Sequence, residues 1–148
     1  MGEPAEVIGR TGKMVHKIEG EDIALAIIRF KNGAFGTIEA STALYPGHPE
    51  RLEIYGERAS VILEGGEIVQ WNGESETVRS KTGTTHGDSG SSDPMAINYE
   101  WHKRQIDDMI HAIKENREPE VNGEGGRKAL ALVMAIYKSA QTGNPVIL

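Results

Sequence analysis

The stretch E21-DIALAIIRFKNGAFGTIEAST-A43 decides the fold class. It holds two runs rich in Ile, Ala, Phe and Thr on either side of Lys31-Asn32-Gly33. Asn-Gly between such runs is the strongest short-range hairpin signal, because a two-residue turn of the favoured hand needs positive φ at both central positions. The faces of the two strands differ. In the first, Ile23, Leu25 and Ile27 alternate with Ala24, Ala26, Ile28 and Phe30, so both faces are apolar and both ask for cover. In the second, Ile38 and Ala40 lie on one face and Thr37, Glu39 and Ser41 on the other, which is polar enough to meet water or a second polar surface.

Outward from this hairpin the first half of the chain continues as strands. On the N-terminal side, AEVIGRTGKMVHKI (5–18) alternates loosely and reads as a strand. On the C-terminal side, RLEIYGE (51–57) and ASVILE (59–64) follow, and Gly65-Gly66 turns the chain back into EIVQW (67–71). SETVRS (75–80) adds a short run. Six or seven strands joined by short turns predict a mainly antiparallel sheet. Residues 80–94, SKTGTTHGDSGSSDP, have no periodicity and read as a surface loop or a substrate lid.

Two helices close the chain. The first is expected from about Met95 to Asn116, with Trp101, Ile106, Met109, Ile110 and Ile113 along one stripe. The second is expected from near Gly125 to Thr142, with Gly143 as its C-terminal cap and Pro145 beyond. It is apolar around most of its circumference: Leu130, Val133, Met134 and Tyr137 form one stripe, and Ala129, Leu132, Ala135 and Ile136 another. A helix of that kind is covered on more than one side. Strands first and helices last give an α+β class: a large, mostly antiparallel sheet, helices packed on one face, the other face open for oligomerisation.

Composition removes several classes of function. A chain of 148 residues fits one domain, spanning 1–148. The net charge of −6 speaks against a nucleic-acid footprint. The chain has no cysteine, which removes thiolate ligands and nucleophiles and suits the cytoplasm. No apolar run approaches the roughly 20 residues of a membrane span, and no signal pattern opens the sequence.

Candidate chemistry is sparse. The glycine cluster NGEGGRK (122–128) before the second helix has two readings, a phosphate cradle and a simple helix start. The spacing G-x-G-G fits neither a Walker loop nor a dinucleotide fingerprint, and no Ser or Thr follows Lys128 to hold magnesium. Arg127 and Lys128 in the first turn oppose the helix dipole, which leaves an anion nearby conceivable. The five histidines show no metal-ligand spacing, and HGD at 86–88 lies inside the polar loop. Asp107 and Asp108 are adjacent on a helix, so they point about 100° apart and cannot share one bond. No catalytic or metal residue is assigned. The stiff connection Tyr45-Pro46-Gly47-His48-Pro49 reads either as a structural turn or as a pocket wall in which Tyr45 and His48 offer hydrogen bonds to a hydroxylated ligand.

The hairpin with GTIEAST, the pair IYGERASV, and the ending P-x-V-x-G-x-x-G-R-x-A-L…A-I-Y-x-S-A-x-T-G-x-P-V, in this order, resemble the C-terminal domain of the Gfo/Idh/MocA oxidoreductases, the glucose-fructose oxidoreductase and inositol dehydrogenase group. The resemblance covers nearly the whole chain. It implies a parent with a preceding dinucleotide-binding domain, a Glu-Lys-Pro motif whose lysine serves catalysis, and NAD or NADP as cofactor. None of those motifs occurs in this sequence, so the chain reads as an excised C-terminal domain with Met1-Gly2 an added start and no cofactor of its own. The resemblance further implies a sugar or polyol substrate, a partner domain that binds the nucleotide, and a homo-oligomer through the sheet face. It places Tyr45, His48, Asn98, Trp101 and His102 as substrate-pocket candidates. The alternative is a stand-alone α+β scaffold or ligand-binding module without redox chemistry.

Overall fold

The computed structural model describes residues 2–73, 77–79 and 99–148. The chain folds as two compact units, Met1–Leu44 with Gln105–Leu148, and Tyr45–Arg104. The class is α+β and every strand pair is antiparallel. The sheet expected as one is two sheets of four strands each. Between them runs the connection 42–50, where Pro46 and Pro49 supply no amide hydrogen to a ladder.

In the first unit, β1 (Pro4–Gly12), β2 (Ile23–Phe30), β3 (Phe35–Ser41) and a short strand near the C-terminus (Val146–Ile147) form a sheet in the order β3-β2-β1-terminal strand. The terminal strand was not anticipated; two residues are too few for any periodicity to show. Pairing of Ile8 with Ile27, Leu25 with Glu39 and Ile27 with Thr37 fixes which side chains share a face. Val7, Ala26 and Ile28 point one way and are buried with Ala135 and Ile136, with Phe30, Ile38, Leu132 and Val146 packed around them. The opposite face carries Ile8, Leu25, Ile27 and Phe35, all exposed. Leu25 and Ile27 are 44% and 54% accessible, so β2 is covered on one side only by this chain.

The hairpin at Asn32-Gly33 forms, but with a three-residue loop. Gly33 alone has positive φ, at 89°, and its N–H donates to the Phe30 carbonyl at 3.0 Å. The Asn32 carboxamide oxygen accepts the Ala34 N–H at 3.1 Å, which holds Asn32 out of the left-handed region. In the second unit β4 (Arg51–Tyr55), β5 (Ala59–Glu64), β6 (Glu67–Gly73) and β7 (Thr77–Arg79) are ordered sequentially. There Gly65 and Gly66 both take positive φ, 59° and 79°, between the paired Glu64 and Glu67, the two-residue hairpin expected of Gly-Gly.

β1 ends at Gly12, well short of the strand read over 5–18. Asp22 is the cause. Its carboxylate accepts the amide hydrogens of Met14, Val15 and His16 at 2.7, 2.7 and 2.8 Å, so those groups are bound in a loop and unavailable to a ladder. These amide donors, His16 first, hold the Asp22 carboxyl well below the usual range, at about 2.

The helices are α1 (Glu100–Glu115) and α2 (Gly123–Thr142). The expected turn at 95–98 before α1 lies outside the described residues. Past α1, Asn116 takes φ 53°, and the Asp108 carboxylate accepts from Arg117 Nη2 and the Glu120 N–H, each at 2.7 Å. Asp108 is thus a clamp on the chain leaving α1, beyond a solvated helix position. α2 lies on β1. Fully buried Ser139 accepts the Gly9 N–H at 2.9 Å and donates to the Asn144 carbonyl at 2.7 Å. Gly9 permits this approach, since a Cβ there would sit 2.8 Å from the Ile136 carbonyl oxygen. Gly143, at φ 73°, caps the helix as expected, its N–H donating to Ser139 O at 2.8 Å.

Candidate functional site

The glycines before α2 start a helix. Asn122 is the N-cap: its side chain accepts the Gly125 N–H at 3.0 Å and its carbonyl accepts the Gly126 N–H at 3.2 Å. Two of the amides a phosphate would need are therefore already occupied. Both basic residues are paired as well. Arg127 grips Glu124 through Nε and Nη2 at 3.0 and 2.8 Å, and Lys128 lies 3.3 Å from Glu3. Glu124 and Glu3 answer with carboxyls held below their ordinary value, Glu124 chiefly by its hydrogen bond from Arg127 and Glu3 chiefly by that from Lys31, with Lys128 second. The cluster does not fit the pyrophosphate of a dinucleotide.

The pocket candidates that fall on described residues all belong to the second unit. Tyr45 and His48 sit on the connection before β4; Tyr45 is 97% accessible and His48 is exposed, while Pro49 beside it is buried and anchors the segment. Among the described residues neither side chain makes a hydrogen bond, so the phenol and the imidazole remain available to a ligand. Trp101 and His102 lie in the first turn of α1, and His102 is exposed. The Trp101 ring packs on the β5–β6 turn: a Cβ added to Gly66 would come 2.9 Å from Trp101 Cζ2. Arg104 lies over the same ring, 5.0 Å from its centroid. Trp101 is thereby fixed while its ring stays half exposed, a surface suited to the apolar face of a carbohydrate. No hydrogen bond joins the Tyr45–His48 segment to Trp101 or His102 among the described residues. Asn98, and the loop 80–94 read as a lid, lie outside the described residues.

Sequence reasoning missed two constellations here. One is Arg104; its spacing of three from Trp101 on a helix was the signal. The other is a polar face on the second sheet. Arg51 donates to Glu53 at 2.5 Å and to Glu64 at 3.1 Å, Tyr55 donates to the other oxygen of Glu53 at 2.5 Å, and Asn72 donates to Ser60 at 3.1 Å. The Tyr55 hydrogen bond is the main reason the Glu53 carboxyl lies low, and Glu53 in turn raises Tyr55 and Arg51. The alternation R-x-E-x-Y at 51–55 marked these three as one face. Among the described residues no group of three His, Asp or Glu is placed to hold a metal ion. No described helix is long and apolar enough to cross a membrane.

α2 keeps a second apolar face. Leu130, Val133 and Met134 are exposed while Ala135, Ile136 and Ser139 are buried on the sheet. Beside that face a shallow groove of about 430 Å³ is lined by Met134, Ala135, Tyr137, Lys138, Gln141 and Val146. The surplus of apolar helix surface read from the sequence is thus present as exposed side chains.

Comparison with known proteins accounts for the architecture. Residues 1–148 match the model of an oxidoreductase family, C-terminal alpha/beta domain, of the Gfo/Idh/MocA group. Myo-inositol 2-dehydrogenase of Thermotoga maritima is 24% identical, covering 95% of this chain and 42% of that protein. D-apiose dehydrogenase of Rhizobium rhizogenes is 28% identical, covering 99% and 43%. Among solved structures, an oxidoreductase from Agrobacterium radiobacter in complex with NAD+, L-tartaric acid and magnesium superposes with a TM-score of 0.80 at 25% identity, over 98% of this chain and 43% of that one. The WlbA dehydrogenase from Bordetella pertussis, in complex with NADH and UDP-GlcNAcA, gives 0.76 at 25%, over 99% and 39%. The chain spans about two fifths of the length of these proteins.

Proposed function

The chain belongs to the Gfo/Idh/MocA oxidoreductase family, as its C-terminal alpha/beta domain, and from that premise we propose that it is the substrate-side and oligomerisation domain of a cytoplasmic nicotinamide-dependent dehydrogenase acting on a sugar, polyol or related hydroxylated compound. The observation that carries the reading is the match over all 148 residues to a domain that makes up about two fifths of proteins named as inositol and apiose dehydrogenases. Related structures bound to NAD+ or NADH support a nicotinamide cofactor in the parent. In this reading a separate nucleotide-binding domain holds the cofactor and supplies the acid-base group. That agrees with the occupied amides and paired basic residues at the start of α2.

The residues of this chain would shape the substrate side. Tyr45, His48 and His102 offer hydrogen-bond groups to hydroxyls, and Trp101 offers a fixed ring, with Asn98 a further pocket residue. The exposed α2 face with Leu130, Val133 and Met134 serves the nucleotide-binding domain. The bare face of the first sheet, bearing Ile8, Leu25 and Ile27 beside Thr37, Glu39 and Ser41, serves a second copy.

The coding frame upstream of Met1 tests the reading. A G-x-G-x-x-G fingerprint and a Glu-Lys-Pro motif in the same frame are expected. A stop codon directly before Met1, with no such motifs, favours a stand-alone scaffold. The purified 148-residue chain is expected to show no NAD(P)-dependent oxidation of polyols; turnover by it would sink the assignment of the chemistry to another domain.

A further inference from the structure

We propose that residues 13–21 form a preformed arm whose tip, Met14, Val15 and Ile18, docks on a second copy of this chain; the inference rests on the open-sheet association above and extends it. The loop is closed at its ends, where the Asp22 N–H donates to the Gly12 carbonyl at 3.0 Å. Its interior is held by one carboxylate that takes three successive amides, from Met14, Val15 and His16. Lys13 Nζ reaches the Glu19 carbonyl at 3.2 Å, and Tyr137 on α2 donates to the Glu21 carboxylate at 2.5 Å. The Asp22 carbonyl takes the Ser41 hydroxyl at 2.7 Å and the Thr42 N–H at 3.0 Å, which ties the base of the loop to β3. Compact surface loops built this way are frequently functional.

All of this polar bonding holds apolar side chains in water. Met14 is 74% accessible and Val15 67%, and Ile18 is exposed beside them. Three apolar side chains kept out at one tip gain from being covered. A tip already ordered by Asp22 and Tyr137 loses little further entropy on docking.

The occupant follows from charge and position. Lys13 and Lys17 flank the apolar tip, and a chain of net charge −6 is itself an acidic partner. Glu39 lies exposed on the open face, unpaired among the described residues. The arm is also continuous with that face: Gly12, its last strand residue, pairs with Ile23, two positions before Leu25. A second copy covering Leu25 and Ile27 therefore lies next to the root of the arm.

Sedimentation equilibrium of the 148-residue chain, its M14S/V15S variant and its I27K variant separates the arm from the sheet. Melting curves are recorded for each. The arm variant is expected to raise the dissociation constant of self-association about tenfold or more, with unchanged melting of the dilute chain. If I27K dissociates the assembly and M14S/V15S does not, the arm is overturned and the sheet face stands. If M14S/V15S dissociates it and I27K does not, the sheet-face reading fails and the arm is the contact. A wild-type monomer at high concentration overturns both. Because the chain has no cysteine, a V15C variant gives a second readout. Its reaction with a thiol reagent should slow as the chain self-associates. Undiminished reactivity, or binding of the wild type to phosphatidylserine vesicles with no effect of the arm variant on self-association, overturns the proposal.

Discussion

The two faces of the first sheet are built from the same strands and are treated in opposite ways. On one face Val7, Ala26 and Ile28 are buried under α2, and the one polar atom there, the Ser139 hydroxyl, is bonded on both sides, to Gly9 N and Asn144 O. On the other, Ile8, Leu25, Ile27 and Phe35 are just as apolar and stay accessible. An apolar side chain gains about 1.5–3 kcal/mol from full burial, so the open face forgoes a stabilisation that the closed face collects. Folding of this chain explains one face; the other makes physical sense as an association surface.

Damage to the closed face breaks that comparison hardest. G9V places a branched side chain where a Cβ already meets the Ile136 carbonyl oxygen at 2.8 Å. It should pry α2 from β1 and cost about 3 kcal/mol or more, read as the loss of midpoint in a urea titration.

At the border between the faces the effect is smaller and depends on pH. The Asp22 carboxyl titrates at about 2 in the folded chain, below the ordinary aspartate value of about 3.9. A depressed folded value means that its contribution is complete above pH ~4 and is lost as pH falls through about 2. D22N should therefore lower Tm at pH 7. The gap between variant and wild type should narrow as the pH drops from about 4 to 2; a constant gap across that range would show that the carboxylate charge does not hold the loop.

The open face should respond least in stability. I27K of the dilute chain is expected to change unfolding free energy by no more than about 0.5 kcal/mol, as for exposed positions elsewhere. A loss comparable to that of G9V would mean that the face is covered within the chain, and the contrast between the two faces would collapse.

Much of this was legible in the sequence. Alternation in 23–41 gave both the hairpin and the side-chain sets of its two faces, and Gly143 with Pro145 marked the end of α2. Other features depend on bonds between distant residues. The strand read through 5–18 stops at Gly12 because Asp22 captures amides six to eight residues before it, and nothing in the pattern of Met14, Val15 and His16 shows that. The clamp of Asp108 on Arg117 and Glu120, read as a solvated position, depends on how the chain leaves α1. In the pocket region the rings of Tyr45 and Trp101 stood out by type. The cover of Trp101 by Arg104 and its seat on Gly66 needed the folded chain.

The sequence by itself determined the α+β class, the antiparallel pairing, the surplus of apolar surface on α2 and the ordered motifs of its family. These follow from local propensity and side-chain period, which act over a few residues. The tertiary structure decided which apolar face is covered, that the sheet is divided in two, and that the glycines at 123–126 start a capped helix whose flanking cations are already paired. Those outcomes turn on which groups meet across long stretches of chain, and contacts of that range leave no period in the sequence to read.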